Sequence, residues 1–475
     1  MTDIRTVQIW GVLTKVATAA LGIVQTAIVL RLLGPEAYGI VGIVISLGAL
    51  VGVSQHVGAV DAAIREIAVA DTPQRKAAVF WVSLWFRLLI TVPISVLLAL
   101  AATWIGTRLY PFPEIPHLVR LMSLILILHG MQGILGGAYT GQRAFGTLYA
   151  LQLITAVVNV PIFAGLVWWR DLNGFFEAVI LAALIFSTLL ALFLRRALGG
   201  TLAHPPPAEV RGVLADILHT GAWTYVARIL SVVWQRVPIL LLGRWVSPEV
   251  VGLFTAATTF GSKLQLLAAA LGEVNLAFLS KAFAQSREAF RRLAVRTLED
   301  VGAVTLLGGL FLVLFARELV PILAGQQYLG ALRFIPAVTW AYAAFAFLDI
   351  ASNTVFVPAR RANFRAAGFG VMAVGTLGVM LTLRQMPEGA ANLGLLLGAL
   401  VGLATAIGIS AFRMHLSLFP RTLLLPVIAA GAATAFVPLP LAARAALFAG
   451  IAVWIVVVAF PVLIHRARRL FVSPA

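Results

Sequence analysis

The stretch Arg31-Leu32-Leu33-Gly34-Pro35-Glu36-Ala37-Tyr38-Gly39 separates two long apolar runs, Gln8 to Leu33 and Gly39 to Val60. Each run is long enough to cross a bilayer, which takes about 20 apolar residues. Pro35 cannot continue a helix, and the flanking glycines allow a tight reversal. The chain is therefore predicted to open with a transmembrane hairpin.

Composition extends this reading to the whole chain. Of 475 residues, 61% are hydrophobic and only 11% charged, and the mean hydropathy is +1.00. A soluble protein carries about 25% charged residues. The expectation is an all-α, polytopic membrane protein with no soluble domain. The chain has no cysteine, which excludes disulfides, thiol catalysis and cysteine metal sites. The net charge of +17 fits loops that collect Lys and Arg on the cytoplasmic face, so no nucleic-acid partner is expected. The first apolar run exceeds the roughly 7–15 residues of a secretory signal core and is read as a retained first helix. There is no phosphate-binding glycine loop, no His-Glu-x-x-His and no Gly-x-Ser-x-Gly, so neither ATP hydrolysis nor an enzyme is expected.

Fourteen spans follow from hydropathy: about 8–33, 39–61, 78–105, 117–140, 147–169, 175–195, 218–243, 250–278, 299–323, 331–357, 366–386, 390–412, 422–440 and 443–464. With both termini in the cytoplasm, 21 of the 35 Lys and Arg fall in inner segments and 8 in outer ones, Arg444 among the latter. That is the bias of the positive-inside rule. Outer loops are short, leaving no room for an external catalytic domain. The inner stretch Lys281–Arg296 reads as an amphipathic connector on the membrane surface.

The opening turn has a copy. Gly34-Pro35-Glu36-Ala37-Tyr38-Gly39 aligns with Ser247-Pro248-Glu249-Val250-Val251-Gly252 at an offset of 213. An even number of spans separates the copies, so the halves have parallel topology, as in transporters whose repeats meet around a substrate path. The expected division is an N-lobe over 1–196, a linker over 197–217 containing His204-Pro205-Pro206-Pro207, a C-lobe over 218–412, and two extra helices with a basic tail over 413–475.

Six basic residues lie inside spans: Lys15, Arg87, Arg120, Arg228, Arg236 and Lys263. Each costs about 2.5–3.5 kcal/mol at a helix centre and persists when it faces a wet cavity or has a partner. Arg120 suits snorkelling to an interface. The repeat offset places Arg228 at the position equivalent to Lys15. Lys15, Arg228, Arg236 and Lys263, with Arg87, are the expected lining of one cationic cavity; the plainer alternative is separate structural ion pairs. Asp61, Glu273 and Asp349 are the intramembrane acids. The plain role of Asp61 and Glu273, near inner ends, is pairing with nearby Lys or Arg; the sharper role, for which Asp349 is also a candidate, is binding a coupling Na+ or H+. No metal site or other cofactor is expected. His56 and His129 read as core residues. Gly48–Gly52, Gly133–Gly137 and Gly394–Gly398–Gly402 have the spacing of close helix packing, and Pro93, Pro161, Pro238 and Pro336 can kink helices.

The segment Val29 to Gly58, VLRLLGPEAYGIVGIVISLGALVGVSQHVG, resembles the start of Wzx-type polysaccharide flippases of the multidrug/oligosaccharidyl-lipid/polysaccharide (MOP) exporter superfamily. The resemblance implies two pseudo-symmetric six-helix lobes around a central cavity, plus two C-terminal helices. It implies a location in the cytoplasmic (inner) membrane and, as cargo, an oligosaccharide joined through pyrophosphate to a polyprenyl lipid, such as an O-antigen or exopolysaccharide unit. It also implies glycan polymerases or assembly proteins as partners. A peptidoglycan-precursor (lipid II) flippase shares the fold and the cationic cavity. A MATE-type drug/cation antiporter would call for an acidic or apolar cavity, and a membrane glycan polymerase for a sizeable outer loop.

Overall fold

The structure, a computed structural model, describes residues 4–55, 59–198, 222–359, 361–414, 424–434 and 437–459. The Pro-rich linker motif, His56 and the basic tail lie outside these residues, as do a few side chains within helices. The described residues form helices and no strand. Among the described residues, nine helices are long and apolar enough to cross a membrane. Two of them are pairs joined at a kink. Helix α1 (Ile4–Val53) has 50 residues and α5 (Phe145–Ala197) has 53. Straight, each would run about 75–80 Å, more than twice the roughly 30 Å apolar core of a bilayer. α1 is therefore bent at Gly34, whose φ of 72° and ψ of 168° suit a residue without Cβ. Counting each kinked helix as two segments, and adding three helices named below (α7, α13, α14), gives the fourteen segments expected.

The chain forms two compact units, Met1–Gly252 and Leu253–Ala475. The first unit holds α1, α2 (Ala59–Val69), α3 (Pro73–Trp104) with a π turn over Ile105–Leu109, α4 (Ile115–Gly141), α5, α6 (Ala222–Trp245) and the first turn of α7 (Pro248–Gln285). The unit boundary and the covalent linker are therefore different places in the chain, because α6 packs on α1. The core of this unit joins α2, α3, α4 and α5 through Ile67, Phe80, Ile134, Tyr139, Leu148 and Leu190. The Tyr139 hydroxyl donates to the Leu190 carbonyl at 2.6 Å. Gly48 and Gly52 of α1 meet Met122 and Leu126 of α4, while Gly133 and Gly137 of α4 meet Val60 and Ile64 of α2, so both glycine pairs serve packing.

The second unit holds the rest of α7, α8 (Arg287–Leu314), α9 (Ala316–Leu323), a 3-10 turn over Gln326–Arg333, α10 (Ile335–Val355), α11 (Ala362–Thr382), α12 (Pro387–Met414), α13 (Leu424–Ala433) and α14 (Leu441–Ala459). Its closest pair is α11 with α12. A Cβ on Gly398 would stand 1.9 Å from Thr376 Oγ1, and one on Gly402 2.6 Å from Met372 Cβ. The Thr376 hydroxyl donates to the Gly394 carbonyl at 2.9 Å, so the small-residue spacing works as expected.

Four expectations change. The span drawn over 39–61 ends at Val53. There the Ser54 hydroxyl donates to the Val51 carbonyl at 2.5 Å and the backbone tightens into Ser54 N to Val51 O and Gln55 N to Gly52 O bonds. Serine competing for helix carbonyls in this way favours termination. The span drawn over 299–323 ends at Leu314, with the short α9 beyond it. Lys281–Arg296 is not a separate connector. It divides at Ser286, whose hydroxyl caps α8 by accepting from Ala289 N at 3.0 Å, and its two parts continue α7 and begin α8. Pro336 lies in the first turn of α10 and starts that helix instead of kinking it.

The α5 kink carries strain. Asp171 has φ 46° and ψ −123°, a combination that glycine dominates in tight turns. Replacing Asp171 with Gly is expected to stabilise the protein by about 1 kcal/mol, read as a rise in the thermal unfolding temperature of the detergent-purified protein. Arg170 is anchored next to it by a 2.7 Å ion pair with Glu177.

Candidate functional site

The site grows from the interruption between α1 and α2. A helix that stops inside an apolar environment leaves carbonyls without partners. Two side chains from other helices supply them. The Arg87 guanidinium of α3 donates to the Gln55 carbonyl and, at 3.4 Å, to the Gln55 side-chain oxygen. The Tyr225 hydroxyl of α6 donates to the Ser54 carbonyl at 3.3 Å. Arg228 lies one turn along α6 from Tyr225 and is close enough to Arg87 to repel it.

The expected cations differ in exposure. Lys15 and Arg228 are exposed on α1 and α6, Arg236 is half-buried on α6, and Arg87 is only 2% exposed. These four belong to the first unit. Lys263, half-buried on α7, belongs to the second. Arg236 and Lys263 make no ion pair among the described residues. Arg120 reaches the Thr103 hydroxyl at 3.0 Å near the helix ends, as snorkelling predicts. Of the acids, Asp349 on α10 pairs with Arg365 of α11 at 2.7 Å, and Arg365 also lies over the Phe369 ring at 5.6 Å. Asp61 and Glu273 are on α2 and α7, with side chains outside the description.

The repeated turns meet each other at the end of the first unit away from this break. A Cβ on Gly39 would stand 1.9 Å from the Pro248 carbonyl oxygen, and one on Gly252 would stand 1.7 Å from the Pro35 carbonyl oxygen. With the offset of 213, these are the same contact made twice. The neighbouring end of α6 is sealed alongside. The Tyr110 hydroxyl donates to the Leu240 carbonyl at 3.0 Å, and Arg244 donates to the Arg108 and Leu109 carbonyls, both at 2.9 Å. Gly243 packs on Ile43 and on the Tyr110 ring.

Two groups of residues lie beyond the hydropathy reading. Gln55 and Tyr225 carry the break, and only the three-residue spacing of Tyr225 from Arg228 hints at a shared face. Arg444, expected in an outer loop, instead sits 4% exposed on the first turn of α14. It donates to the Leu439 carbonyl at 2.9 Å and to the Leu314 carbonyl, and it grips both Glu318 carboxylate oxygens at 3.0 and 2.5 Å.

Comparison with known proteins agrees with this architecture. The lipid II flippase MurJ in an inward closed conformation superposes with a TM-score of 0.70 at 12% identity, covering 95% of this chain and 99% of MurJ. An inward-facing multidrug resistance MATE family transporter of the MOP superfamily gives 0.67 at 17% identity, covering 85% and 99%. The eukaryotic MATE transporter AtDTX14 gives 0.60 at 14%, covering 85% and 97%. At such identities the likeness shows the fold alone, one shared with MurJ and the MATE transporters. No curated protein matches the sequence. A family model described as "Polysaccharide biosynthesis protein" matches residues 28–333, well over half of the chain. The chain is thus a multi-pass membrane protein that belongs to the polysaccharide biosynthesis protein family.

Proposed function

We propose that this protein flips a polyprenyl-pyrophosphate-linked oligosaccharide from the inner to the outer leaflet of the cytoplasmic membrane, with both termini in the cytoplasm. The observation that carries the reading is the pair Lys15 and Arg228. They occupy equivalent repeat positions and are both exposed on apolar helices that pack together. A cation on such a helix is sustained by water, by another group of the protein or by an anionic ligand. Arg engages a pyrophosphate bidentately and Lys as a point charge. The lipid tail stays in hydrocarbon, so the protein need only offer a polar path to the head group. With the inside negative, outward movement of an anion is favoured by about 2.3 kcal/mol per charge per 100 mV. Arg236 extends the basic lining of the first unit, Lys263 is a further candidate cation of the second, and glycan polymerases or assembly proteins are the expected partners. Asp61 and Glu273 are the candidates for coupling to Na+ or H+; the ion pair with Arg365 engages Asp349 structurally.

The test is flipping of lipid-linked oligosaccharide in proteoliposomes and its accumulation on the inner leaflet of a deletion strain. Lys15→Ala and Arg228→Ala are each expected to slow flipping about ten- to hundredfold, the worth of one charge-assisted contact. Expression should be retained, because exposed substitutions stay within about 0.5 kcal/mol of stability. Full activity in both variants overturns the cation assignment. Normal glycan export in the deletion strain, without accumulation, overturns the cargo. Efflux of a cationic drug in place of glycan would favour the antiporter.

A further inference from the structure

Two neighbouring carbonyls at the end of α1 accept hydrogen bonds from two different helices. Arg87 of α3 donates to the Gln55 carbonyl and to the Gln55 side chain, and Tyr225 of α6 donates to the Ser54 carbonyl. Consecutive residues stand about 3.8 Å apart, so the two donors are held side by side. They are unequal. Arg87 and Gln55 are each only 2% exposed, and parting them would leave a buried charge without its acceptors, at high cost. The Tyr225 bond is 3.3 Å long, beyond the usual O–H···O range of about 2.5–3.0 Å. Tyr225 is half-buried, so water can serve both the hydroxyl and the carbonyl when the bond opens. Arg87 is a fixed strap and Tyr225 a releasable one.

The other end of α6 is fastened more firmly. There Arg244 donates to the Arg108 and Leu109 carbonyls, both at 2.9 Å, and Tyr110 donates to the Leu240 carbonyl at 3.0 Å. The end of α6 that parts first is therefore the one held by Tyr225. Arg228 loads that weak tie. It lies three residues beyond Tyr225, about one turn along α6, and its charge repels the Arg87 guanidinium. Tyr225 draws the start of α6 toward the end of α1, while Arg228 pushes it from α3. The balance between them depends on the charge at Arg228. An anion there cancels the repulsion and leaves the hydrogen bond to act alone.

We propose that the Tyr225 hydroxyl is a positioning group, a latch that closes the start of α6 onto the Ser54 carbonyl when an anion neutralises Arg228. Binding at one residue becomes closure one turn away, and the anion need not touch α1. That the natural anion is a pyrophosphate rests on the function proposed above; the latch itself does not.

The test uses the absence of native cysteine. Ala227 stands between Tyr225 and Arg228 on α6 and is 0% exposed. Ala227→Cys therefore reports opening through its rate of reaction with a maleimide in the detergent-purified full chain. Tyr225→Phe keeps the ring and deletes one donor. It is expected to speed the reaction about three- to tenfold, the worth of one hydrogen bond. Inorganic pyrophosphate should slow the reaction by a similar factor when Tyr225 is present, and should leave the rate unchanged in Tyr225→Phe. A bond that only holds the fold together predicts no such dependence of the anion effect on Tyr225. The latch is overturned if Tyr225→Phe reacts at the parent rate or if pyrophosphate leaves the parent unchanged. It is equally overturned if pyrophosphate protects both alike, as simple shielding of the thiol would. Flipping of lipid-linked oligosaccharide is measured alongside. Flipping without pyrophosphate protection overturns the latch and leaves the cargo reading standing. Protection that requires Tyr225, in a protein that flips no such lipid, supports the latch and overturns the cargo.

Discussion

Replacing Gly39 or Gly252 with valine will reduce transport about five- to hundredfold while the protein still folds and inserts. Each glycine lies where a Cβ would overlap a backbone carbonyl of the other turn, at 1.9 Å for Gly39 and 1.7 Å for Gly252. Backbone cannot rotate away as a side-chain tip can, so the turns must separate. Overpacking of this kind costs about 1–3 kcal/mol. If the contact forms in one conformation of a transport cycle and breaks in the other, that cost falls on the closed form alone and shifts the balance about five- to hundredfold. The absence of native cysteine makes the shift measurable. Ile43 is 0% exposed and packs on Gly243 beside the turns. A single Ile43→Cys should resist a membrane-impermeant maleimide in the parent protein and react in the Gly252→Val background. Unchanged reactivity together with unchanged transport would show that the contact is not a closing surface.

The second large effect is expected at Glu318. Arg444 places its guanidinium, with a side-chain exposure of 5%, against the Glu318 carboxylate. This is the clearest polar tie in the cluster of Leu310, Leu314 and Ala433 that joins α13 and α14 to α8, where Phe311, Phe315 and Phe448 stack within 6 Å. Deleting one partner of a buried pair leaves the other charge uncompensated, at about 3–5 kcal/mol. Glu318→Ala is therefore expected to lower the unfolding temperature by several degrees and to speed hydrogen exchange in α14. Glu318→Gln, which keeps one acceptor, should lose less. A cost below about 1 kcal/mol for Glu318→Ala would reduce the pair to an exposed ion pair. The pH dependence has a definite sign. The hydrogen bond from Arg444, and then its charge, hold the Glu318 carboxyl below its ordinary value of 4.5. A depressed carboxylate contributes stability that is complete above that ordinary value and lost as pH falls through the lowered one. The hairpin of α13 and α14 should accordingly loosen only in acid, and Glu318→Gln should remove that transition.

Much of the fold was legible because bilayer crossing and helix packing write themselves locally. Runs of apolar residues, Gly34-Pro35 and the glycines of α12 each act within a few turns of where they stand. The break after Val53 was not legible. Its cause is a serine hydroxyl competing for one carbonyl, and hydropathy stays high across it. Helix α2 was hidden for a related reason: Arg65 and Glu66, paired at 3.1 Å, make an 11-residue helix look like a polar loop. The site was legible as residue types and not as partnerships. The offset matched Lys15 with Arg228, and both are exposed. It did not foresee that Arg87 would be held by Gln55, or that Asp349 and Arg444 would pair with Arg365 and Glu318, because those partners lie 16 to 126 residues away.

The contact between the two turns has the form of an isologous interface. Position 39 meets 248 and position 252 meets 35, which under the repeat offset is one surface touching its own copy. That is the rule of a twofold homodimer, here written within a single polypeptide. A half-length chain carrying this turn would hold both sides of its own joint, and fusing two such copies adds covalent connection without requiring a new surface. The same reciprocity ties the two copies together in sequence space. A bulkier residue in one turn is relieved only by retreat of the backbone in the other, so the pair behaves as one position occupied twice.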